Sequence, residues 1–250
     1  MVQANKLVVV TDDATLPPPL SDFRIVERVE LRHCTLLVLN EPPSSELDLR
    51  LGLAGFCRLF ENFCFRINND SKDRERILGD FFSYLANDYD EHTHGEQNVR
   101  CYDFLLDFAR DLHLVDSPRV LDYGCGTGTV LSSRITETAA SIIGFDISDK
   151  IEQIAAARGL MVWNEEALLQ CPNEHFDLIV AAYVLHYGIS ENRVVHLLDC
   201  LAPGGIFVAN HHKGYGIQHT KTVVSGLTAS DFDISWRESS FGACLAIRKH

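Results

Sequence analysis

The sequence predicts an α/β protein: a seven-stranded, mostly parallel sheet with helices on both faces, preceded by a small β/α extension. Three observations predict it. After Pro118, short apolar runs alternate with amphipathic segments, the pattern of parallel strands joined by crossover helices. The stretch "VLDYGCGTGTV" (Val120 to Val130) sets Gly124, Gly126 and Gly128 directly behind one apolar run. The chain closes on "FDISWRES" and "FGACLAIRKH", which read as two adjacent strands at one sheet edge.

Taken in order, residues 1–45 form a small β-rich unit. Lys6 to Val10 and Phe23 to Asn40 are rich in β-branched residues and read as two or three strands, with breaks at "LPPPL" and "EPPSS". A covering or homodimer-forming role is the expectation for this unit. Residues 46–115 read as a helical cap or lid. "ELDLRLGLAGFCRLFENFCFRI" carries apolar residues on most helical turns, and "DRERILGDFFSYLANDYDEH" follows. "VRCYDFLLDFARDLHL" then lines up Val99, Tyr102, Leu105, Ala109 and Leu112 on one face. The polar "NDYDEHTHGEQN" between the last two reads as a loop. Residues 116–250 hold the strands "RVLDYG", "SIIGFD", "LMVWN", "FDLIVAAYV" and "GIFVAN". In "SDKIEQIAAARG", Ser148 is the N-cap and Gly159 the stop, and "ENRVVHLLDCLAPGG" ends on a terminating Pro-Gly-Gly.

Composition narrows the function. With 46% hydrophobic and 23% charged residues, the chain has the profile of a globular protein. The formal net charge of −13, from 35 acidic residues against 22 Lys and Arg, argues against nucleic acid as substrate. No apolar run approaches membrane-spanning length, and the one near the N-terminus is too short for a signal peptide. The eight cysteines show no C-x-x-C spacing and sit mostly in apolar segments; reduced thiols in a cytoplasmic protein are expected.

The glycines suit a ligand that must approach bare backbone at the carboxyl end of a parallel strand. Asp146, ending "SIIGFD" about twenty residues on, can accept hydrogen bonds from both ribose hydroxyls of an adenosine. Together they indicate an adenosine-containing cofactor, and a nicotinamide-dinucleotide enzyme is one alternative. Its fingerprint, however, is G-x-G-x-x-G, whereas this chain has Asp122 followed by G-x-G-x-G.

"VLDYGCGTG" resembles the first motif of class I S-adenosylmethionine-dependent methyltransferases. "FDLIVAAYVLHY" is similar to that family's fourth-strand motif, "LLDCLAPGGIFVA" to its lead into strand five, and the last two strands to its reversed sheet edge. The resemblance covers about Asp88 to His250. It implies a Rossmann-like core and S-adenosyl-L-methionine as cofactor. It further implies that Tyr123, Gly124 and Gly126 line the methionine part, with Asp122 and Cys125 of the same turn among the contacts. Asp146 would hold the ribose, Ile147 pack on adenine, Glu165 meet the adenine amino group and backbone at Ala182 touch the methionine amino group. Tyr89, in "NDYDE", resembles the Tyr-Asp segment that folds over the cofactor.

Methyl transfer needs alignment and exclusion of water, and a base only where the acceptor must lose a proton. His186 in "YVLHYG" is the candidate catalytic base, resembling the "LHD" of small-molecule O-methyltransferases, although Tyr187 replaces the Asp. "NHHKGYG" (Asn210 to Gly216) offers His211 and His212 at the same mouth; with His92 and His94 they read as a polar rim, and no metal is expected. The absence of N/D-P-P-Y/F after strand four, where "AAYV" stands, disfavours base amines and glutamine amides as acceptors, and the absence of Pro-Cys there disfavours attack on cytosine C5. The expected function is methyl transfer to oxygen or nitrogen of a small molecule. The alternatives are a protein or tRNA methyltransferase and a non-catalytic cofactor-binding partner subunit.

Overall fold

The computed structural model describes residues 6–12, 15–41, 44–60, 62–66, 71–93, 95–212, 216–227 and 230–250. Its packing divides the chain between Asp88 and Tyr89, whereas the sequence suggests divisions after residues 45 and 115.

The first unit contains β1 (Leu7–Thr11), β2 (Ile25–Glu30), β3 (Thr35–Leu39), α1 (Ser45–Leu53), β4 (Phe56–Phe60), β5 (Phe63–Arg66) and α2 (Ser71–Leu85). Its sheet runs β2-β3-β1-β5-β4, with β1 and β5 parallel and the other pairs antiparallel. β1 and β3 are buried along their whole length, as their continuous apolar runs require of inner strands; charged β2 takes an edge. The helical reading of residues 46–66 is corrected here. Ser44 caps α1 by accepting from the Leu47 N–H, but the helix stops at Leu53. Gly55 follows at φ +76° and the chain becomes a β-hairpin. Phe56, Cys57, Phe60, Phe63, Cys64 and Phe65 are β-favouring residues that also recur on helical turns, and the glycine stop decided between the two. Phe81 of α2 meets Phe63 and Phe65 edge-on, with ring centroids 4.9 and 4.8 Å away.

The second unit contains α3 (Tyr89–His92), α4 (Gly95–Asp111), β6 (Arg119–Tyr123), α5 (Arg134–Thr138), β7 (Ser141–Phe145), α6 (Asp149–Ala157), β8 (Met161–Val162), α7 (Glu165–Leu169), β9 (Phe176–Ala181), α8 (Glu191–Asp199), β10 (Leu201–His211), α9 (Ile217–Ser225), β11 (Phe232–Ser239) and β12 (Gly242–Lys249). Its seven strands run β11-β12-β10-β9-β6-β7-β8, parallel from β10 to β8, with β12 antiparallel to both its neighbours. The expected sheet is thus present, edge included. The segment read as a loop is partly helical, since α3 and the start of α4 lie in it.

Alternation along the central strands feeds two cores. Leu121, Phe145, Ile179, Phe207 and Leu245 face one side; Val120, Leu178, Val180, Ile206, Val208 and Ala246 face the other, where Cys101, Leu105 and Phe108 of α4 cover them. Tyr102, Leu105 and Ala109 of the expected α4 face are buried. The eight cysteines are free thiols, seven of them buried. Strand order reverses between β6 and β9, and such a switch point opens a crevice at the carboxyl ends of the strands.

Close packing beside that crevice depends on Gly144. A Cβ there would stand 2.6 Å from Leu160 Cδ2 and 2.9 Å from Cys125 Sγ. Gly144→Ala is expected to cost about 1–3 kcal/mol through overpacking, read as a lowered urea midpoint with unchanged slope; a wild-type midpoint would show that β7 is not so tightly seated.

Candidate functional site

The crevice is built on the turn after β6. Gly124, Gly126 and Gly128 have φ of +78°, +53° and +90°, a region open to glycine and costly for other residues. The Gly124 and Cys125 N–H groups both donate to the Phe145 carbonyl, at 2.7 and 2.9 Å, so the turn is sewn to the end of β7. The chain itself also needs the bare backbone. A Cβ on Gly124 would lie 2.3 Å from Val184 Cγ2, and one on Gly126 would lie 3.1 Å from the Tyr89 hydroxyl.

Three carboxylates crowd this turn. Asp122 is fully buried and accepts from the Tyr102 hydroxyl at 3.0 and 3.1 Å. Burial pushes its carboxyl up to about 8; the Tyr102 hydrogen bond opposes this, and the neighbouring Asp146 adds to it. Asp146 accepts from the Gly126 N–H at 3.0 Å and the Ser148 N–H at 3.1 Å. Burial raises it to about 6 against the pull of the Ser148, Gly126 and Ile147 amides. Glu152, buried on α6, accepts from the Asp146 N–H at 3.1 Å; burial brings it to about 7 against the pull of that hydrogen bond, with the charges of Asp146, Asp149 and Glu165 adding to the rise. Ionising all three there is costly, and a cation among them would offset the cost.

The remaining predicted residues surround this centre. Tyr123 stacks on Phe145 with centroids 5.3 Å apart, and Cys125 is buried in the turn. Half-buried Ile147 follows Asp146. Glu165 opens α7 and is itself exposed, held in an ion pair by buried Arg193, whose guanidinium lies 5.7 Å from the Phe145 ring centre. Tyr89, on α3, lies against Gly126. Asp90 beside it accepts from the Thr127 hydroxyl at 2.6 Å and from Arg158. Burial would raise the Asp90 carboxyl, but the hydrogen bonds from Arg158 and Thr127 outweigh it and hold the group low.

Across the switch point, buried Ala182 follows β9, and Tyr183 takes the strained φ of +59°. Asn210, fully buried at the end of β10, fixes that bend: its Oδ1 accepts from the Tyr183 N–H at 2.7 Å and its Nδ2 donates to the Phe241 carbonyl at 3.0 Å. His186 lies buried in a single 3-10 turn, Leu185–Tyr187, with its ring 4.2 Å from that of Tyr187 and 6.0 Å from that of His212. The two histidines of "NHH" part company. His212 turns toward His186 and Tyr183, whereas His211 packs on Trp236, centroids 6.1 Å apart, so the expectation that both reach the mouth is corrected for His211. Adjacent residues at a strand end point to opposite faces. His94 and residues 213–215 lie outside the described residues; among those described, no group of three or more His, Cys, Asp or Glu is placed to hold a metal.

Asn210, Glu152, Thr127, Arg158 and Arg193 are not singled out from the sequence, and Tyr102 is read there only as part of a helix face. A polar residue directly after the apolar "GIFVA" is the signal that could have found Asn210. The others lie in helices or turns where only three-dimensional proximity marks them.

The strand order, the glycine turn and the carboxylate ending the next strand define a class I S-adenosylmethionine-dependent methyltransferase. The family model of the methyltransferase domain matches residues 89–218, just over half of the chain, and the chain belongs to that family. An uncharacterized protein of Haemophilus influenzae is 32% identical over 80 residues, which cover 28% of this chain and 32% of that one. The chain therefore spans about a third of the curated relative it matches. Among solved structures, the [4+2]-cyclase SpnF shares the fold at TM-score 0.54 and 17% identity, over 70% of this chain and 96% of its own. Magnesium protoporphyrin IX methyltransferase from Synechocystis PCC 6803, solved with bound S-adenosylmethionine, does so at 0.51 and 16%, over 73% and 100%. At these identities the likeness is one of fold.

The raised carboxylates set a sign for stability. Groups held above their ordinary range of about 4 favour the folded state fully at low pH and lose that contribution as pH climbs through about 6, 7 and 8. The unliganded protein is expected to melt progressively lower across that window. Asp122→Asn keeps the acceptor for Tyr102 without the charge. It should narrow the melting difference between about pH 6 and about pH 8 by roughly 2–4 °C for each kcal/mol recovered; an undiminished difference would place the titration elsewhere.

Proposed function

We propose that this chain transfers a methyl group from S-adenosylmethionine to oxygen or nitrogen of a small-molecule acceptor. The observation that carries the reading is the cluster of three carboxylates, buried Asp122 and Glu152 with half-buried Asp146, around a glycine turn. The residues fit the cofactor. Its ammonium and sulfonium are cations, which the crowded acids favour. Of the roughly four lone-pair sites of the Asp146 carboxylate, the backbone amides of Gly126, Ser148 and Ile147 take up to three, which leaves an acceptor for a ribose hydroxyl.

When bound, the cofactor supplies an activated methyl on positively charged sulfur. The residues here bind, orient and shield. Gly124, Gly126 and Tyr123, with Asp122 and Cys125, hold the methionine part, Asp146 the ribose, Ile147 the adenine face and Glu165 the adenine amino group. Backbone at Ala182 meets the methionine amino group, and Tyr89 covers the turn against water. His186 would accept the proton that leaves an O–H or N–H acceptor, the acceptor atom gaining the methyl as the carbon–sulfur bond of the donor breaks to leave a neutral thioether; its ring is set among Tyr183, Tyr187 and His212. A small acceptor accords with the net charge of −13, which offers nothing to a phosphate backbone. A reducing, cytoplasmic setting accords with the free thiols. No described helix is long and apolar enough to cross a membrane.

Two measurements test this. Calorimetric titration with S-adenosylmethionine near pH 7 should release protons, since a cation lowers the raised carboxyls; heats that do not vary with buffer ionisation enthalpy would contradict the proposed charge pairing. His186→Gln, assayed with saturating cofactor once an acceptor is found, should lose about 10²–10⁴ in kcat with cofactor affinity retained. Turnover at the wild-type rate would remove His186 from the mechanism.

A further inference from the structure

Asp90, Thr127 and Arg158 come from three elements that meet beside the glycine turn: α3, the turn itself and the C-cap of α6. They close a ring of hydrogen bonds. The Thr127 hydroxyl donates to Asp90 Oδ1 at 2.6 Å, Arg158 Nη2 donates to Asp90 Oδ2, and Arg158 Nη1 donates to the Thr127 carbonyl at 3.1 Å. Each of the three thus bonds both others. Asp90 and Arg158 keep side-chain exposures of 49% and 46%, so the ring can open into water without leaving a buried charge. Next to Asp90, Tyr89 is held with its hydroxyl 3.1 Å from where a Gly126 Cβ would be. Three atoms of its ring and hydroxyl, Oη, Cε1 and Cζ, lie within 3.5 Å of that point, so the ring covers the turn at Gly126, whose N–H donates to Asp146. Apart from its join to the preceding chain, α3 is only four residues long and buries no residue fully. A single turn of helix does not hold itself.

We propose that Asp90 and Arg158 are positioning residues that act through Tyr89: their clasp on Thr127 holds the Tyr89 strap across the glycine turn, and opening it gates passage of the cofactor. The gating part rests on the turn being the cofactor site; the clasp part does not. Thr127 makes the device local, because the residue that anchors the strap is one step beyond the backbone it covers.

A gate has a kinetic signature that a binding contact lacks. Loosening it speeds both entry and exit, so both rate constants rise while affinity moves less than either. Asp90→Asn and Arg158→Met are the variants, with Thr127→Val as a third that removes the hydroxyl alone. The first readout is amide hydrogen exchange of residues 89–93 in the protein without cofactor, expected to quicken about twofold to fivefold, the range for an exposed ion pair. The second is stopped-flow association and dissociation of S-adenosylhomocysteine, with both constants expected to rise about twofold to fivefold. In a Tyr89→Ala background Asp90→Asn should then change neither constant, since the clasp would have nothing to position. Unchanged exchange in the variants overturns the clasp. Faster exchange with unaltered rate constants, or faster dissociation with slower association, overturns the gate and leaves a purely structural ion pair. Faster exchange in the variants, where the wild-type protein itself takes up neither S-adenosylhomocysteine nor S-adenosylmethionine, overturns the gate through the cofactor reading, while the clasp stands.

Discussion

Two backbone amides, those of Gly124 and Cys125, converge on the carbonyl of Phe145, and a third, that of Gly126, reaches the carboxylate of Asp146. These bonds tie the turn after β6 to the end of β7, and most of what surrounds the crevice follows from them. The turn can bend this tightly only because its glycines take positive φ. Once it has bent, Asp122, at the inner end of β6, cannot move away from Asp146, and Glu152 is drawn in to satisfy the Asp146 amide. The acids are crowded because the backbone geometry leaves them no other place.

That crowding makes the site selective by charge rather than by shape alone. A neutral ligand would leave the carboxylates with raised proton affinity. A ligand bringing positive charge to the same place changes the protonation of the protein itself. On the far side of the switch point the chemistry differs: rings replace acids, and an amide side chain, Asn210, sets a strained bend at Tyr183. The two walls of the crevice thus differ in kind, acids on one and aromatic and imidazole rings on the other.

Much of the sheet was legible because its strands are short, apolar and bounded by turn residues, and because Ser148 and Gly159 mark helix ends chemically. That Tyr89 and Asp146 stand beside the glycine turn was legible because each carries a local signal. The hairpin of β4 and β5 was misread because phenylalanines recurring every few residues satisfy both a helical and an alternating pattern, and only Gly55 breaks the tie. His211 was misplaced because sequence adjacency says nothing about which face of a strand end each side chain takes. Arg158, Thr127 and Glu152 were invisible because their meaning is a meeting of elements distant in the chain.

The amide of Asn210 must give one hydrogen bond and take one, to Phe241 and from Tyr183, and it does so in full burial. Aspartate has the same outline but would set a lone pair against the Phe241 carbonyl and bring a charge with it. The position therefore refuses the nearest chemical neighbour of its own residue. Slow hydrolytic loss of ammonia from that one side chain, a common lesion of old protein, would unseat the loop that carries His186 while leaving the glycine turn and its acids untouched. An aged molecule of this kind would keep one wall of the crevice and lose the shape of the other.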